Sequence, residues 1–375
     1  MTLYRLGEIA PIIEGTVEKN DKYWLLNLDM VERETGRIIG YNFVSENEIG
    51  NSTVPFDTGN VLYSKLRPYL NKVVLPQKAG YATSEMVPLR PDTSIITREY
   101  LTYLLRSPMF VSFINSKTSG AKMPRAKLAE LKKFEIKCPS IVEQKIITDR
   151  FDELLEAIGV CESIIDKLNM LCKSRFVEMF GDINTNSKGW ISQPLGELCT
   201  IVRGGSPRPI EQYLRGDVPW IKISDATEGD SIYLHSTKEH IIKEGVKRSR
   251  LVKSGSLIFA NCGVSLGFAR IITFDGCIHD GWLAMGDIDS RLDKVFLLQS
   301  LNQMTEHFRK IAPAGTQPNL NTAIMKSYMQ IIPPMECQNE FVAFSEQVDK
   351  SKSAVLDILE KLKTLQKSLM QEYFC

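Results

Sequence analysis

From Ser140 to Phe180 the chain holds one glycine, Gly159, and no proline, an interval that an α-helix would span in roughly 60 Å. Apolar residues recur there at alternating steps of four and three: Ile147, Phe151, Leu154, Ile158, Cys161, Ile165, Leu168 and Cys172. That alternation keeps one seam on one helix face, as a coiled coil requires. Ser140 and Glu143 have the spacing of a capping box, and Gly181 suits a left-handed stop. So long a helix does not fit inside one ordinary domain and needs a partner. The chain supplies one at its far end, where Phe341, Phe344, Val348, Ser351, Val355, Ile358, Leu362, Leu365 and Leu369 repeat the alternation. The expected interface is Phe151, Leu154, Ile158, Ile165 and Leu168 against Val348, Val355, Ile358, Leu362 and Leu365.

The two helices belong to a larger repetition. Leu6-Gly7-Glu8 returns as Leu195-Gly196-Glu197, and Gly59 with the strand-like Val61-Leu62-Tyr63-Ser64 as Gly255 with Leu257-Ile258-Phe259-Ala260. Phe113 and Gly120 return as Phe308 and Gly315, and Lys173-Ser174 with Phe180 as Lys367-Ser368 with Phe374. Pro139 and Pro334 each close a strand-like run before a long helix. Landmarks held at one offset through the chain signal duplication. The expected fold is therefore α+β: two duplicated mixed α/β domains, residues 1–139 and 182–334. Each is followed by a long helix, 140–181 and 335–375, and the helices pair as an antiparallel coiled coil. Within the domains, Glu99 to Phe113 and Val295 to Phe308 read as matching helices.

Composition matters chiefly through where charge falls. Net charge is only +1 overall. Residues 1–139 carry 19 Lys and Arg against 15 Asp and Glu, and residues 182–334 carry 17 against 15. The helical stretches 140–181 and 335–375 carry 5 against 8 and 5 against 7. A polyanion would be drawn to the domains and not to the helices. No apolar run approaches a membrane span, and the opening residues lack the shape of a signal peptide. The eight cysteines form no C-x-x-C pair, so buried free thiols and a cytoplasmic location are expected.

The motifs of common catalysts are missing. There is no phosphate loop, dinucleotide loop or nucleophile elbow, and the four histidines show no metal-ligand spacing. Cys277, His279 and Asp280 are the nearest approach to a reactive cluster, and a structural role is the plainer reading. No catalytic residue and no metal site is expected.

Basic residues cluster instead. Lys117, Lys122, Arg125 and Lys127 fall in a stretch with few acids, suited to lying on phosphates, with Arg125 or Lys127 reaching base edges. A solvated face is the plainer reading of the same pattern. The matching second-half loop is rich in amides, among them Gln317 and Asn319, which can pair bidentately with adenine. Lys65 and Arg67 follow a strand-like run. Lys247 and Arg250 belong to a second basic cluster. Arg203 and Arg208 flank Gly204-Gly205-Ser206-Pro207, where glycines would allow a ligand close to the backbone, a plain turn being an equal reading.

In this duplicated layout the chain resembles the DNA-specificity subunits of type I restriction–modification systems. The likeness rests on the paired Leu-Gly-Glu openings, on Gly204-Gly205-Ser206-Pro207, and on Pro219-Trp220-Ile221-Lys222-Ile223-Ser224. Gly315-Thr316-Gln317-Pro318-Asn319-Leu320 before Ile331-Ile332-Pro333-Pro334 adds to it. The first half lacks the Gly-Gly-Ser-Pro loop. The resemblance implies two target-recognition domains, each reading one half of a split, asymmetric site in double-stranded DNA, with the helices as a ruler. It adds Ser206 and Lys222 to the expected contacts. It also implies a non-catalytic chain on which two DNA methyltransferase subunits dock, joined in some systems by two ATP-dependent motor-nuclease subunits. S-adenosylmethionine, ATP and Mg would belong to those partners and none to this chain. A stand-alone bipartite DNA-binding regulator and a helical scaffold without enzyme partners remain as alternatives.

Overall fold

The computed structural model describes residues 2–120, 122–226, 231–263, 266–313 and 319–375. The chain divides into two compact units whose boundary runs through both long helices. One comprises residues 1–160 with 360–375, the other residues 161–359.

In the first unit, strand Thr2–Arg5 pairs antiparallel with Glu135–Cys138, the last strand before the long helix. Val61–Ser64, buried along its length, lies between Val73–Val74 and Met86–Leu89. A separate four-stranded sheet carries Tyr23–Leu26. Two helices, Arg98–Arg106 and Pro108–Asn115, cover the core. One helix is expected from the sequence here. The break falls at Ser107, whose hydroxyl accepts from Phe110 N, followed by Pro108, which has no N–H to continue the ladder.

The second unit repeats this plan. Ser192–Pro194 pairs with Met329–Ile331, and the buried Leu257–Ala260 lies between Ala269–Ile272 and Trp282–Gly286. Helices Lys294–Gln303 and Thr305–Ile311 correspond to the pair in the first unit. The recurring Leu-Gly-Glu has a packing cause. A Cβ on Gly7 would sit 2.8 Å from Cβ of Lys132, and one on Gly196 would sit 2.8 Å from Cβ of Lys326.

The long helices run Ile141–Phe180 and Met335–Phe374. Ser140 and Glu143 form the capping box, Ser140 N and Oγ donating to Glu143 Oε2 at 2.9 and 2.8 Å. Gly181 adopts φ +78° just past the first helix. Each unit contains contacts between the two helices. In the first, Phe151 packs against Phe374, and Arg150 bonds Tyr373. In the second, Lys352 Nζ donates to Asn169 Oδ1 at 3.2 Å, Cys172 Sγ meets Ser345 Oγ at 3.7 Å, and Arg175 meets Glu340 at 2.6 Å. Numbers rise on one helix as they fall on the other, so the helices run antiparallel there.

Phe151, Leu154 and Ile158 are buried, while Ile165, Leu168, Val348, Val355 and Leu362 are partly buried. Two expected interface residues are displaced. Ile358 is 50% exposed and Leu365 is 47% exposed, while Leu359 is buried. Three of the second helix's five expected positions stay partly buried, and its most buried line, Ser345, Lys352 and Leu359, includes polar side chains that an apolar pattern passes over. Ser345 and Lys352 are buried there, satisfied by the bonds just described.

A buried glutamine fastens each long helix to its own domain. Gln144 accepts from Thr97 N at 2.8 Å and donates to Ile95 O and Pro139 O at 2.7 and 3.0 Å. Gln338 accepts from Asp293 N at 2.8 Å and donates to Arg291 O and Pro333 O at 2.8 and 2.7 Å. Replacing Gln338 by Met removes the partner of three backbone groups, one at a fully buried bond and two at partly buried ones, at about 1–3 kcal/mol for a group left unpaired out of water. Urea unfolding of Gln338→Met should show a loss of roughly 2–4 kcal/mol, allowing for partial relaxation. The exposed-site control Gln347→Met should show little change, and equal losses in the two variants would mean the clamp is dispensable.

Candidate nucleic-acid interface

In the first unit the chain leaves the buried strand Val61–Ser64 and is met from two sides. Lys65 N donates to Glu85 O at 2.9 Å, and Lys65 O accepts from Ala126 N at 2.8 Å. Leu66 pairs with Arg125 as an antiparallel bridge, and Arg67 N donates to Pro124 O at 2.7 Å. Arg67 takes a left-handed backbone, φ +48°. Thr118–Ser119 and Arg125–Ala126 form a hairpin that carries Lys117 beside Lys127, with Lys127 N donating to Lys117 O at 3.4 Å. Backbone pairing thus brings the segments that carry Lys65, Arg67, Lys117, Arg125 and Lys127 together in one basic cluster, with Lys122 exposed in the hairpin loop. Its electrostatic reach registers on Glu130, whose carboxyl is held below its ordinary value chiefly by Lys133, with Lys117 and Lys127 adding to it.

The second unit builds the same crossing at the equivalent place. Asn261 N donates to Gly281 O at 2.9 Å, Leu320 N donates to Asn261 O at 2.8 Å, and Cys262 pairs with Asn319 as an antiparallel bridge. Asn261, fully buried, also donates to Asn319 Oδ1 at 3.3 Å. Beside it lies the turn at His279 and Asp280. Ser206 Oγ donates to Asp280 Oδ1 at 2.8 Å, and Arg203 Nε donates to Asp280 O at 3.0 Å. Arg208 lies 3.7 Å from Asp280 Oδ2, and Arg250 Nε donates to Arg203 O at 3.4 Å. Arg203, Ser206, Arg208, Arg250 and Asn319 therefore converge. Lys222 borders them but is salt-bridged to Glu239, and Lys247 is exposed after the short helix Lys243–Val246. Gln317 lies outside the described residues.

One sequence expectation changes. Gly204 serves the protein's own packing, since a Cβ there would lie 2.2 Å from His279 O, which leaves no gap for a ligand. The Cys277, His279 and Asp280 group is structural. Cys277 is buried, with its thiol pushed up by burial, and His279 accepts from Gly281 N through Nδ1 at 2.9 Å. His279 Nε2 then faces Asp280 Oδ1 at 3.0 Å. Burial, helped by Lys222, Arg208 and Arg203 against the pull of Asp280, lowers the imidazole below its ordinary value.

Sequence reasoning missed Glu85, which grips Arg125, and the buried Asn261 that orients Asn319. The signal available was positional: Leu66 and Arg125 recur as Cys262 and Asn319 within the offset of the repeat. Among the described residues no group of three or more His, Cys, Asp or Glu is placed to hold a metal, and no helix is long and apolar enough to cross a membrane.

A family model described as the type I restriction modification DNA specificity domain matches residues 1–170 and 187–364. The type I restriction enzyme EcoDI specificity subunit of Escherichia coli is 26% identical over 156 residues, 40% of this chain and 34% of that one. The MjaIX specificity subunit of Methanocaldococcus jannaschii is 24% identical over 298 residues, 73% of this chain and 65% of that one. The chain thus spans about a third and just under two thirds of these two relatives. The solved type I restriction–modification S subunit from M. genitalium aligns over 100% of this chain and 96% of its own. Its TM-score is 0.60 at 15% identity, which shows a shared fold.

A phosphate brought to the His279 turn would favour the imidazolium, so the bound state should have the higher pKa. Affinity for duplex DNA should then rise as pH falls from 7.5 through the depressed pKa of the free protein. Fluorescence anisotropy across that range should show the rise, and His279→Gln should flatten it. An unchanged slope in the variant would assign the proton to another group.

Proposed function

The chain belongs to the type I restriction–modification DNA specificity family, and from that premise we propose that it is the subunit that reads a bipartite, asymmetric DNA site. In this reading residues 1–139 and 182–334 are the two readers, and residues 140–181 and 335–375 form one antiparallel coiled-coil spacer. The chain performs no chemistry. It brings two DNA methyltransferase subunits, which use S-adenosylmethionine, to the site in the cytoplasm. Two ATP- and Mg-dependent motor-nuclease subunits can join them.

One observation carries the reading. The bridge of Leu66 with Arg125 and that of Cys262 with Asn319 occupy the same place in the two repeats, on the same backbone bonds, with different side chains. Two copies of one scaffold that differ at the presented residues suit two half-sites of different sequence. The lysines and arginines around each bridge suit phosphates, which position a reader without specifying bases.

The spacer follows from length and stiffness. Half-sites about one helical turn apart, roughly 34–36 Å, present the same face of the duplex, and a pair of long helices can hold such a separation. Replacing residues 182–334 by the matching domain of another reader should change one half-site only. Adding one heptad to each long helix, after Leu154 and after Leu362, should lengthen the gap and leave both half-sites intact. Base-resolution methylation mapping in cells carrying each variant reads both outcomes. Two altered half-sites in the swap, or an unchanged gap in the insertion, would refute independent readers or the ruler respectively.

A further inference from the structure

We propose that Arg125 reads a guanine in the half-site of the first domain, and that Glu85 is its positioning residue. This inference rests on the DNA-reading function above and adds which residue reads, and which base. Six cations crowd the surface around the Leu66–Arg125 bridge, and only one is built as a rigid fork. Arg125 Nη2 and Nε lie 2.8 and 2.9 Å from the same oxygen, Glu85 Oε1. That grip uses the Nε–Nη2 edge of the guanidinium, so its Nη1–Nη2 end stays available. The same end matches O6 and N7 of guanine in the major groove.

Arg125 is anchored at both levels. Its backbone pairs with Leu66 on one side and with Ser119 in the hairpin on the other. Glu85 is anchored through its backbone, since its carbonyl accepts from Lys65 N, and its side chain is 21% exposed. A planar fork held at one edge loses little freedom when its other end meets a base. Lys117, Lys122 and Lys127 are exposed, and a lysine ammonium is a mobile point charge suited to phosphates. Of the two residues in the first domain that the sequence offers for base contact, Arg125 and Lys127, only Arg125 has this brace.

The second repeat supports the assignment. Its equivalent position holds Asn319, whose Oδ1 accepts from the buried Asn261. In both domains the residue opposite the crossing strand is thus a planar side chain oriented by a neighbour. The two planar groups differ, as guanine-reading and adenine-reading groups do.

The test is selection of binding sequences from a random duplex pool by the full-length chain, in parallel for wild type, Arg125→Gln, Arg125→Lys, Glu85→Gln and Lys117→Gln. Wild type should enrich a bipartite motif with a guanine in one half. Arg125→Gln should lose that guanine alone, keep the gap and the other half-site, and bind the wild-type site roughly 5- to 150-fold more weakly. Arg125→Lys, which keeps the charge and the fold, should also lose the guanine preference. Glu85→Gln should weaken preference at the same position and nowhere else. Lys117→Gln should weaken all sequences alike and reduce the salt dependence. A wild-type motif unchanged by both Arg125 variants overturns this inference and leaves the functional reading standing. Enrichment of no motif by wild type overturns both.

Discussion

A glutamine with no exposed surface stands in the first turn of each long helix, and the placement of everything else in its unit depends on what it holds. Gln144 and Gln338 each take one backbone N–H and two backbone carbonyls out of the unsatisfied state. The N–H belongs to Thr97 or Asp293, the residues that cap helices Arg98–Arg106 and Lys294–Gln303. One carbonyl belongs to the segment just before the long helix, the other to the loop before the capped helix. A slip of the long helix by one residue turns its side chains by about 100°, and would break all three bonds and leave a buried amide side chain without partners. The long helix therefore leaves its domain in one orientation. Aromatic packing adds weight without adding direction: Phe151 stacks on Tyr103 and Phe374 lies against Tyr100, while Phe176 and Phe180 pack on Phe296 and Phe341.

Such a clamp is nearly invisible in a linear reading, which explains what the sequence did and did not disclose. The long helices were legible because apolar residues recur regularly between two clear end signals, the Ser140 box and Gly181. The duplication was legible because Leu-Gly-Glu and the terminal Phe180 and Phe374 recur at nearly the same offset, 189 and 194 residues. The phase of the second helix was not. An apolar count selects Ile358 and Leu365, but the buried face includes Ser345 and Lys352, whose place inside depends on partners 173 and 183 residues away. Polar residues enter a seam when a bond awaits them, and that bond is written elsewhere in the chain. The expected single helices over 99–113 and 295–308 failed for a more local reason. Ser107-Pro108 ends one helix and starts the next, and in the second unit the break comes at Met304.

The candidate interface was half legible for the same cause. Charge clustering marked Lys117 through Lys127, and glycine and proline marked the loop around Ser206. Neither pattern could show that residues 66 and 125, or 262 and 319, meet as backbone bridges. Nor could it distinguish Lys222, which Glu239 engages, from Arg203 and Arg208, which gather on Asp280. Long-range pairing decides which basic residues form a surface, and charge alone decides only how many candidates there are.

The bridges also show why a reader of this design can differ between its two halves without rebuilding the fold. At each crossing the bonds that close the structure are backbone bonds: Ala126 N to Lys65 O in one domain, Leu320 N to Asn261 O in the other. They require strand geometry and no particular side chain at the presented position. Arg125 is exposed and Asn319 half-buried, so neither fills the core that stabilises its domain. The packing constraints lie at other residues, where Gly7 and Gly196 admit a lysine stem and the buried Gln144 and Gln338 fasten the helices. On the proposed reading, specificity and stability are thus carried by different atoms of the same segment. On that reading, a change of side chain at the bridge would alter what meets the duplex, while the position from which it is presented stays set by the backbone.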